Sequence, residues 1–204
     1  MNFDRERVKM SAAILAGGKN TRIGTEKSLL KIKDEPIIDG MVELLEQMFP
    51  EVIISTSKVS LKNRFPNGIF CEDLYKETGP LAGIHSILKM ASYDAVFIFA
   101  CDMPHLNRLL IQLMIEYYTS LEEGSILVPR HSEGIEPLHS IYHKKHIPLI
   151  EKQIENGRCK ITDFVKGAEA KYLDIRDEDK KHFFNINTKR DYDSITKELL
   201  KGNN

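Results

Sequence analysis

Residues 11–30, SAAILAGGKNTRIGTEKSLL, decide how this chain is read. The apolar run 12–16 is closed by Gly17 and Gly18, which predicts a buried strand that ends in a loop with exposed backbone. Lys19, Arg22 and Lys27 follow, with Thr21, Thr25 and Ser28 among them, so cations, hydroxyls and bare amides gather in one short segment. Glycine lets a backbone N–H approach an anion without an intervening side chain, and successive amides form an anion-binding concavity. The segment therefore suits phosphate.

Two common glycine-loop patterns do not fit. A Walker loop needs four residues between its glycines and a Gly-Lys pair, whereas Gly18 and Gly24 are separated by residues 19–23 and Thr25 follows. The dinucleotide pattern G-x-G-x-x-G fails because Gly17 and Gly18 are adjacent. What remains, L-A-G-G-x3-R-x-G-x2-K-x-L, resembles the nucleotidyltransferases that join a nucleotide to a phosphorylated acceptor and release pyrophosphate. Turn chemistry alone seldom produces so dense a pattern.

Outward from this loop, strands and helices alternate. The spacing of Ile37, Ile38, Met41, Leu44, Leu45 and Met48 predicts a helix over 36–48, and strands follow at 52–54 and 69–71. The polar segment 72–78 ends at Gly79-Pro80, and 81–90 reads as a helix facing inward through Leu81, Ile84, Ile87 and Leu88, with Met90 a further candidate. Residues 95–100, AVFIFA, are apolar throughout, as expected of a strand buried on both faces and central in a parallel sheet. Leu109, Leu110, Leu113, Met114 and Tyr117 mark the next helix, and 125–128 the next strand. Further elements are expected at 137–142 (strand), 144–155 (helix), 156–167 (loop and short helix), 170–175 (strand) and 188–201 (helix). The expected fold is a three-layer α/β/α Rossmann-like domain with a mostly parallel central sheet. One domain is expected over 1–204, with a nucleotide-binding half at about 11–129 and an acceptor-binding half with the terminal helix at about 130–204.

Composition narrows the function classes. The 204 residues carry 29 basic and 30 acidic side chains, so no global field favours nucleic acid or an acidic membrane face, and phosphate affinity must be local. No apolar stretch is long enough to span a bilayer, and residues 1–10 lack the apolar core of a signal peptide, which predicts a cytoplasmic protein. Cys71, Cys101 and Cys159 are odd in number and show no C-x-x-C spacing; they read as reduced thiols.

In an open α/β sheet, ligands lie beyond the carboxyl ends of the strands. Gly17-Gly18, Asp73 and Asp102 occupy such ends. Asp102 leaves the most apolar strand, where a hard oxygen ligand suits Mg²⁺; the competing reading is a cap on the following helix, with Pro104 early in that helix. Asn187 is a candidate neutral oxygen ligand for the same ion, while Thr188 reads as the N-cap of the last helix and Asn185 as forming a local bond to backbone. His139, His143 and His146 are split between a strand and a helix, which disfavours a transition-metal site. His131 and His139 read instead as a basic rim near an anionic acceptor.

The motifs LAGGKNTRIG-TEK, EDLYKETGPLAGI, FACDMP, EPLHSIYH, NGRCKITDFV and NINTKRDY, in that order after residue 10, resemble the molybdenum cofactor guanylyltransferases. The resemblance implies transfer of GMP from GTP to molybdopterin-bound molybdenum, with Mg²⁺ as cofactor and molybdoenzymes or cofactor chaperones as candidate recipients. It implies that Leu15, Ala16, Gly17, Gly18, Lys27, Ser55, Asp73 and Asp102 bind GTP, that Arg22, Lys27 and Asp102 are catalytic, and that Asp102 holds the metal; Asn187 stays a candidate second ligand from the reading of the residues alone. Ser55 stands where the family usually has Asn, and His139 where an aromatic or apolar residue is common. A cytidylyltransferase for the same cofactor or a sugar-phosphate nucleotidyltransferase would keep this fold. A module that binds nucleotide or pterin without turnover is the alternative of a different class, and the Arg22, Lys27 and Asp102 set argues against it.

Overall fold

The computed structural model describes residues 4–17, 29–32, 34–76 and 78–201. Strand β1 (Ser11–Leu15) precedes a small hairpin, β2 (Lys31–Ile32) with β3 (Glu35–Pro36), and helix α1 (Ile37–Glu46). Next come β4 (Val52–Ser55), α2 (Val59–Arg64), β5 (Ile69–Cys71), α3 (Pro80–Met90) and β6 (Ala95–Ala100). The chain continues through α4 (Arg108–Thr119), β7 (Leu127–His131), β8 (Gly134–Ile135), β9 (His139–His143), α5 (Ile147–Glu155), α6 (Ile161–Gly167) and β10 (Lys171–Asp174). A 3-10 helix at Asp177–Phe183 leads to α7 (Lys189–Lys201).

Among the described residues the main sheet runs β10-β7-β9-β6-β1-β4-β5, with β8 paired to β7 off this path. The apolar strand β6 lies in the middle, parallel to β1 and antiparallel to β9. All six of its residues are buried. Successive side chains of a strand point to opposite faces. Phe97 and Phe99 therefore join one core cluster with Ile38 and Leu45 of α1, Ile111 and Met114 of α4 and Ile195 of α7. Val96 and Ile98 join the other, with Leu81 and Ile84 of α3, Ile150 of α5 and Phe164 of α6. Helices thus cover both faces, which makes the three layers. Strand β9 runs against its neighbours because residues 132–138, which lead to it from β7, are too few for the dozen or so that a parallel crossover needs.

Several elements differ from expectation in their bounds or facing. Helix α4 buries Leu110, Ile111, Met114 and Ile115, while Leu109 is 73% exposed and Leu113 and Tyr117 also face solvent. Its sequence is apolar at too many successive positions for periodicity to select one face; the sheet selects it. Met90, in the last turn of α3, is likewise exposed. Strand β7 continues through Pro129, which offers only its carbonyl, and that oxygen accepts from Glu136 N at 3.0 Å. The helix expected from residue 144 opens as a 3-10 turn, Lys144–His146, before α5.

His139 corrects a sequence expectation. It is fully buried, its ring meeting the edges of Phe97, Phe99 and Phe183 with centroids 5.3, 5.0 and 5.0 Å away, so it forms no basic rim. Neither ring nitrogen has a hydrogen-bond partner among the described residues. Burial, helped by the nearby His182, lowers its pKa from 6.5 to about 3. The unfolded chain therefore binds a proton below pH 6.5 that the folded chain refuses until about pH 3, so this residue makes the fold lose stability as pH falls through that window. The loss is up to about 1.4 kcal/mol per pH unit. His139→Leu is expected to unfold at least as high in urea as the parent at pH 7 and to lose less stability between pH 6.5 and 4.5. Equal acid sensitivity of the two proteins would contradict this account.

Candidate functional site

Strands β1, β4, β5 and β6 are mutually parallel, so their carboxyl ends share one edge of the sheet. The chain runs outward from β1 to β4 and β5, then returns to β6 on the other side of β1. Strand order reverses there, which opens a crevice at the ends of β1 and β6. The ladder continues past the strands: Ala16 N donates to Ser55 O at 2.9 Å, Thr56 N to Cys71 O at 2.8 Å and Cys101 N to Leu15 O at 3.2 Å. These bonds hold the departing segments side by side.

On one side of the crevice, Ser55 Oγ donates to Asp73 Oδ1 at 3.1 Å. Burial raises the Asp73 pKa, and the Ser55 hydroxyl opposes that rise. The loop carrying Asp73 is tied to α3, because Leu74 N donates to Ser86 Oγ at 2.8 Å and that hydroxyl donates to Ala82 O at 3.0 Å. Gly79 precedes the helix at φ 78°, a left-handed conformation that glycine adopts without strain, and Pro80 occupies the first turn. A methyl group placed on Gly83 would stand 2.6 Å from Leu15 Cδ2, 3.4 Å from Asp73 Oδ1 and 3.6 Å from Ser55 Oγ. One placed on Gly17 would stand 3.9 Å from Asp73 Oδ2. Leu15, Gly17, Ser55 and Asp73 thus meet at a point where α3 approaches without a side chain.

On the other side lies Asp102, partly exposed just beyond β6. It does not cap α4: the Asn107 side chain does, accepting from Leu109 N at 2.9 Å and Leu110 N at 3.2 Å. The backbone oxygen of Asp102 accepts from Ile186 N at 3.0 Å, which draws the segment 185–188 to the same rim. Asn187 N and Thr188 N both donate to Asp191 Oδ2, at 2.9 and 2.7 Å, and Asp191 N donates to Thr188 Oγ1 at 3.1 Å. This reciprocal pairing makes Thr188 the N-cap of α7. Asn185 Nδ2 donates locally to Phe183 O at 3.1 Å, while its Oδ1 is buried with no partner among the described residues. The sheet and α7 thus bring Asp102 and the 185–188 segment together, and the rim between them offers carboxylate and amide oxygens, the donor chemistry of a hard divalent cation.

Gly18, Arg22 and Lys27 lie outside the described residues. Of the histidines, His131 is paired with Glu136 (Nε2 to Oε1, 3.0 Å), and does not form an open basic rim. His143 Nδ1 accepts from Lys145 N at 3.1 Å and His146 Nε2 pairs with Gly124 O at 2.9 Å, so these two and His139 serve separate local roles. Among the described residues no group of three or more His, Cys, Asp and Glu side chains is placed to hold a metal ion, and no helix is long and apolar enough to cross a membrane. All three cysteines are free thiols, and burial with neighbouring acids pushes Cys71 up to about 11. Sequence reasoning missed the Ser86 brace, the Asn107 cap and the His131–Glu136 pair. The Asn107 cap was legible in principle, as an Asn before an apolar helical run; the other two depend on tertiary contact.

Residues 12–170 match the family model described as the MobA-like NTP transferase domain. A relative from Natranaerobius thermophilus, named "Probable molybdenum cofactor guanylyltransferase", is 35% identical over 94% of this chain and 97% of its own length. The molybdenum cofactor guanylyltransferase of Syntrophotalea carbinolica is 30% identical over 90% of this chain and 89% of its own. Among solved structures, molybdopterin-guanine dinucleotide biosynthesis protein A from Archaeoglobus fulgidus superposes with a TM-score of 0.78 at 24% identity, covering 94% of this chain and 99% of that one, and so shares the fold. The crevice at the β1 and β6 ends, the glycines that keep it open and these matches agree: the chain belongs to the MobA-like NTP transferase domain family and is a nucleotidyltransferase.

Proposed function

We propose that this enzyme transfers GMP from GTP to the molybdopterin form of the molybdenum cofactor and releases pyrophosphate. The observation that carries this reading is the meeting of Leu15, Gly17, Ser55 and Asp73 beside Asp102, at the strand-order reversal of a nucleotidyltransferase fold whose curated relatives bear that activity in their names. The half over about 11–129 then serves the nucleotide and the half over about 130–204 the acceptor. Leu15, Ala16 and Gly17 line the GTP with backbone, and Gly18 is a further GTP-binding residue. The Asp73 carboxylate, steadied by Ser55, is an acceptor for the N–H donors that guanine presents and cytosine arranges differently. The enzyme acts in the cytoplasm, and molybdoenzymes or their cofactor chaperones receive the product.

Nucleotidyl transfer relies on positioning and charge neutralisation. The acceptor phosphate is already an anion, so its oxygen attacks the α-phosphorus without a strong base. A new P–O bond forms as the bond to the β-phosphate breaks, and pyrophosphate leaves with the electron pair. Arg22 and Lys27 offset charge on the departing phosphates. Asp102 and Asn187 provide oxygen ligands for Mg²⁺, which when bound would neutralise phosphate oxygens.

Pyrophosphate release measured with each of the four NTPs, with and without molybdopterin, is expected only for GTP with the pterin; release with CTP instead would move the base assignment. Lys27→Ala and Asp102→Ala are each expected to slow transfer at least about tenfold, and full activity in either variant would refute its catalytic role. Gly83→Ala is expected to fold, since the nearest atom is the flexible end of Leu15, but to displace Leu15 and Asp73. Its GTP dissociation constant, read by calorimetry, is expected to rise about tenfold. An unchanged constant would show that α3 does not shape the nucleotide site.

A further inference from the structure

A cavity of about 350 Å³ lies between the β7–β8 hairpin and the Asp177–Phe183 turn, lined by residues that include His131, Glu133, Glu136, Lys181, Phe183 and Phe184. Its size is within the range of small-molecule sites. Its place is informative. Leu138, two residues after Glu136, accepts at its backbone oxygen from Ala100 N at 3.0 Å, next to the end of β6. The opposite wall runs from Phe183 to Ile186, whose N–H bonds Asp102 O at 3.0 Å. Both walls therefore reach the Asp102 rim within a few residues. They do so on the β9 and β7 side of β6, away from β1 and Asp73.

The lining chemistry argues which end of an acceptor belongs here. Acidic residues outnumber basic ones along the wall, and Lys180 is already bound to Glu133 at 2.5 Å. Such a wall repels phosphate and suits N–H donors. Glu136 is half-buried, and His131 is the one hydrogen-bond partner that the described residues give its carboxylate. The His131 ring is itself stacked on Phe183 at 5.7 Å, which fixes the orientation of the pair. Phe184 leaves an aromatic side chain 37% exposed at the same cavity. A carboxylate and an aromatic side chain lining one cavity suit a flat heterocycle with neighbouring amino and ring N–H groups.

We propose that this cavity binds the pterin ring of the acceptor, with Glu136 accepting from its 2-amino and ring N–H donors and Phe184 packing on its face, while the phosphate end reaches Asp102. The inference rests on the acceptor class proposed above and assigns it a place and a recognition residue. Glu136 is here a binding residue, and His131 positions it.

The test is a titration of 6-hydroxymethylpterin, followed by its own fluorescence, into the parent protein, Glu136→Gln and Phe184→Ala. Saturable binding to the parent is expected, weakened about tenfold in Glu136→Gln and several-fold in Phe184→Ala, while the GTP dissociation constant of each variant stays that of the parent and reports an intact fold. Failure of the parent to bind the pterin, or equal binding by Glu136→Gln, overturns the assignment. Transfer assays separate this outcome from the function itself. Turnover with an acceptor KM unaffected by Glu136→Gln sinks the pocket alone. A parent protein with no turnover but Glu136-dependent pterin binding sinks the proposed reaction and leaves the pocket standing.

Discussion

Strand β6 is hydrogen-bonded along both edges and covered on both faces, and the remaining structure is arranged around that burial. Six consecutive apolar residues at the centre of a sheet exclude polar side chains until the strand ends. The first carboxylate after it, Asp102, can then only appear at the rim, where water can solvate it. Parallel pairing with β1 puts the Gly17 loop at the same rim, and antiparallel pairing with β9 puts the 136–138 turn there too. One buried strand thus sets the level at which the Gly17 loop, Asp102 and the 136–138 turn meet.

The β5–α3 corner depends on a second constraint, the absence of side chains. Gly79 supplies a left-handed turn and Gly83 lets the helix lie against Leu15, Asp73 and Ser55. The Ser86 hydroxyl, by accepting from Leu74 N and donating to Ala82 O, keeps the Asp73 loop in place as the helix starts. Ser55 then orients Asp73 with a single hydrogen bond. A longer amide at that position would reach further into the crevice, so the hydroxyl leaves more of that side of the crevice to the Asp73 carboxylate.

Much of this was readable in the residues. The apolar run 95–100 announced a central strand, and Gly17, Asp73 and Asp102 were each placed after a strand by pattern alone. Thr188 as an N-cap and Asn185 as a local backbone donor were also legible, because such bonds span only a few residues. The facing of α4 was not, since its apolar residues fill more than one stripe and only contact with β6 selects Ile111 and Met114 over Leu109 and Leu113. The state of His139 was hidden for a similar reason. Its charge depends on three phenylalanines from two distant segments, Phe97, Phe99 and Phe183, that no local spacing connects.

By itself the sequence determined the alternation of strands and helices, the buried middle of the sheet, and the glycine-rich and acidic segments that end its strands, because these follow from periodicity and turn chemistry over short stretches. Tertiary structure alone decided what those segments do to one another. It tied Ser55 to Asp73, removed Asp102 from the role of helix cap by giving that role to Asn107, joined the 185–188 segment to Asp102, and stacked His131, paired with Glu136, on Phe183 at the wall of a cavity. Those relations join residues far apart in the chain, and they exist only once the sheet has fixed the order and direction of its strands.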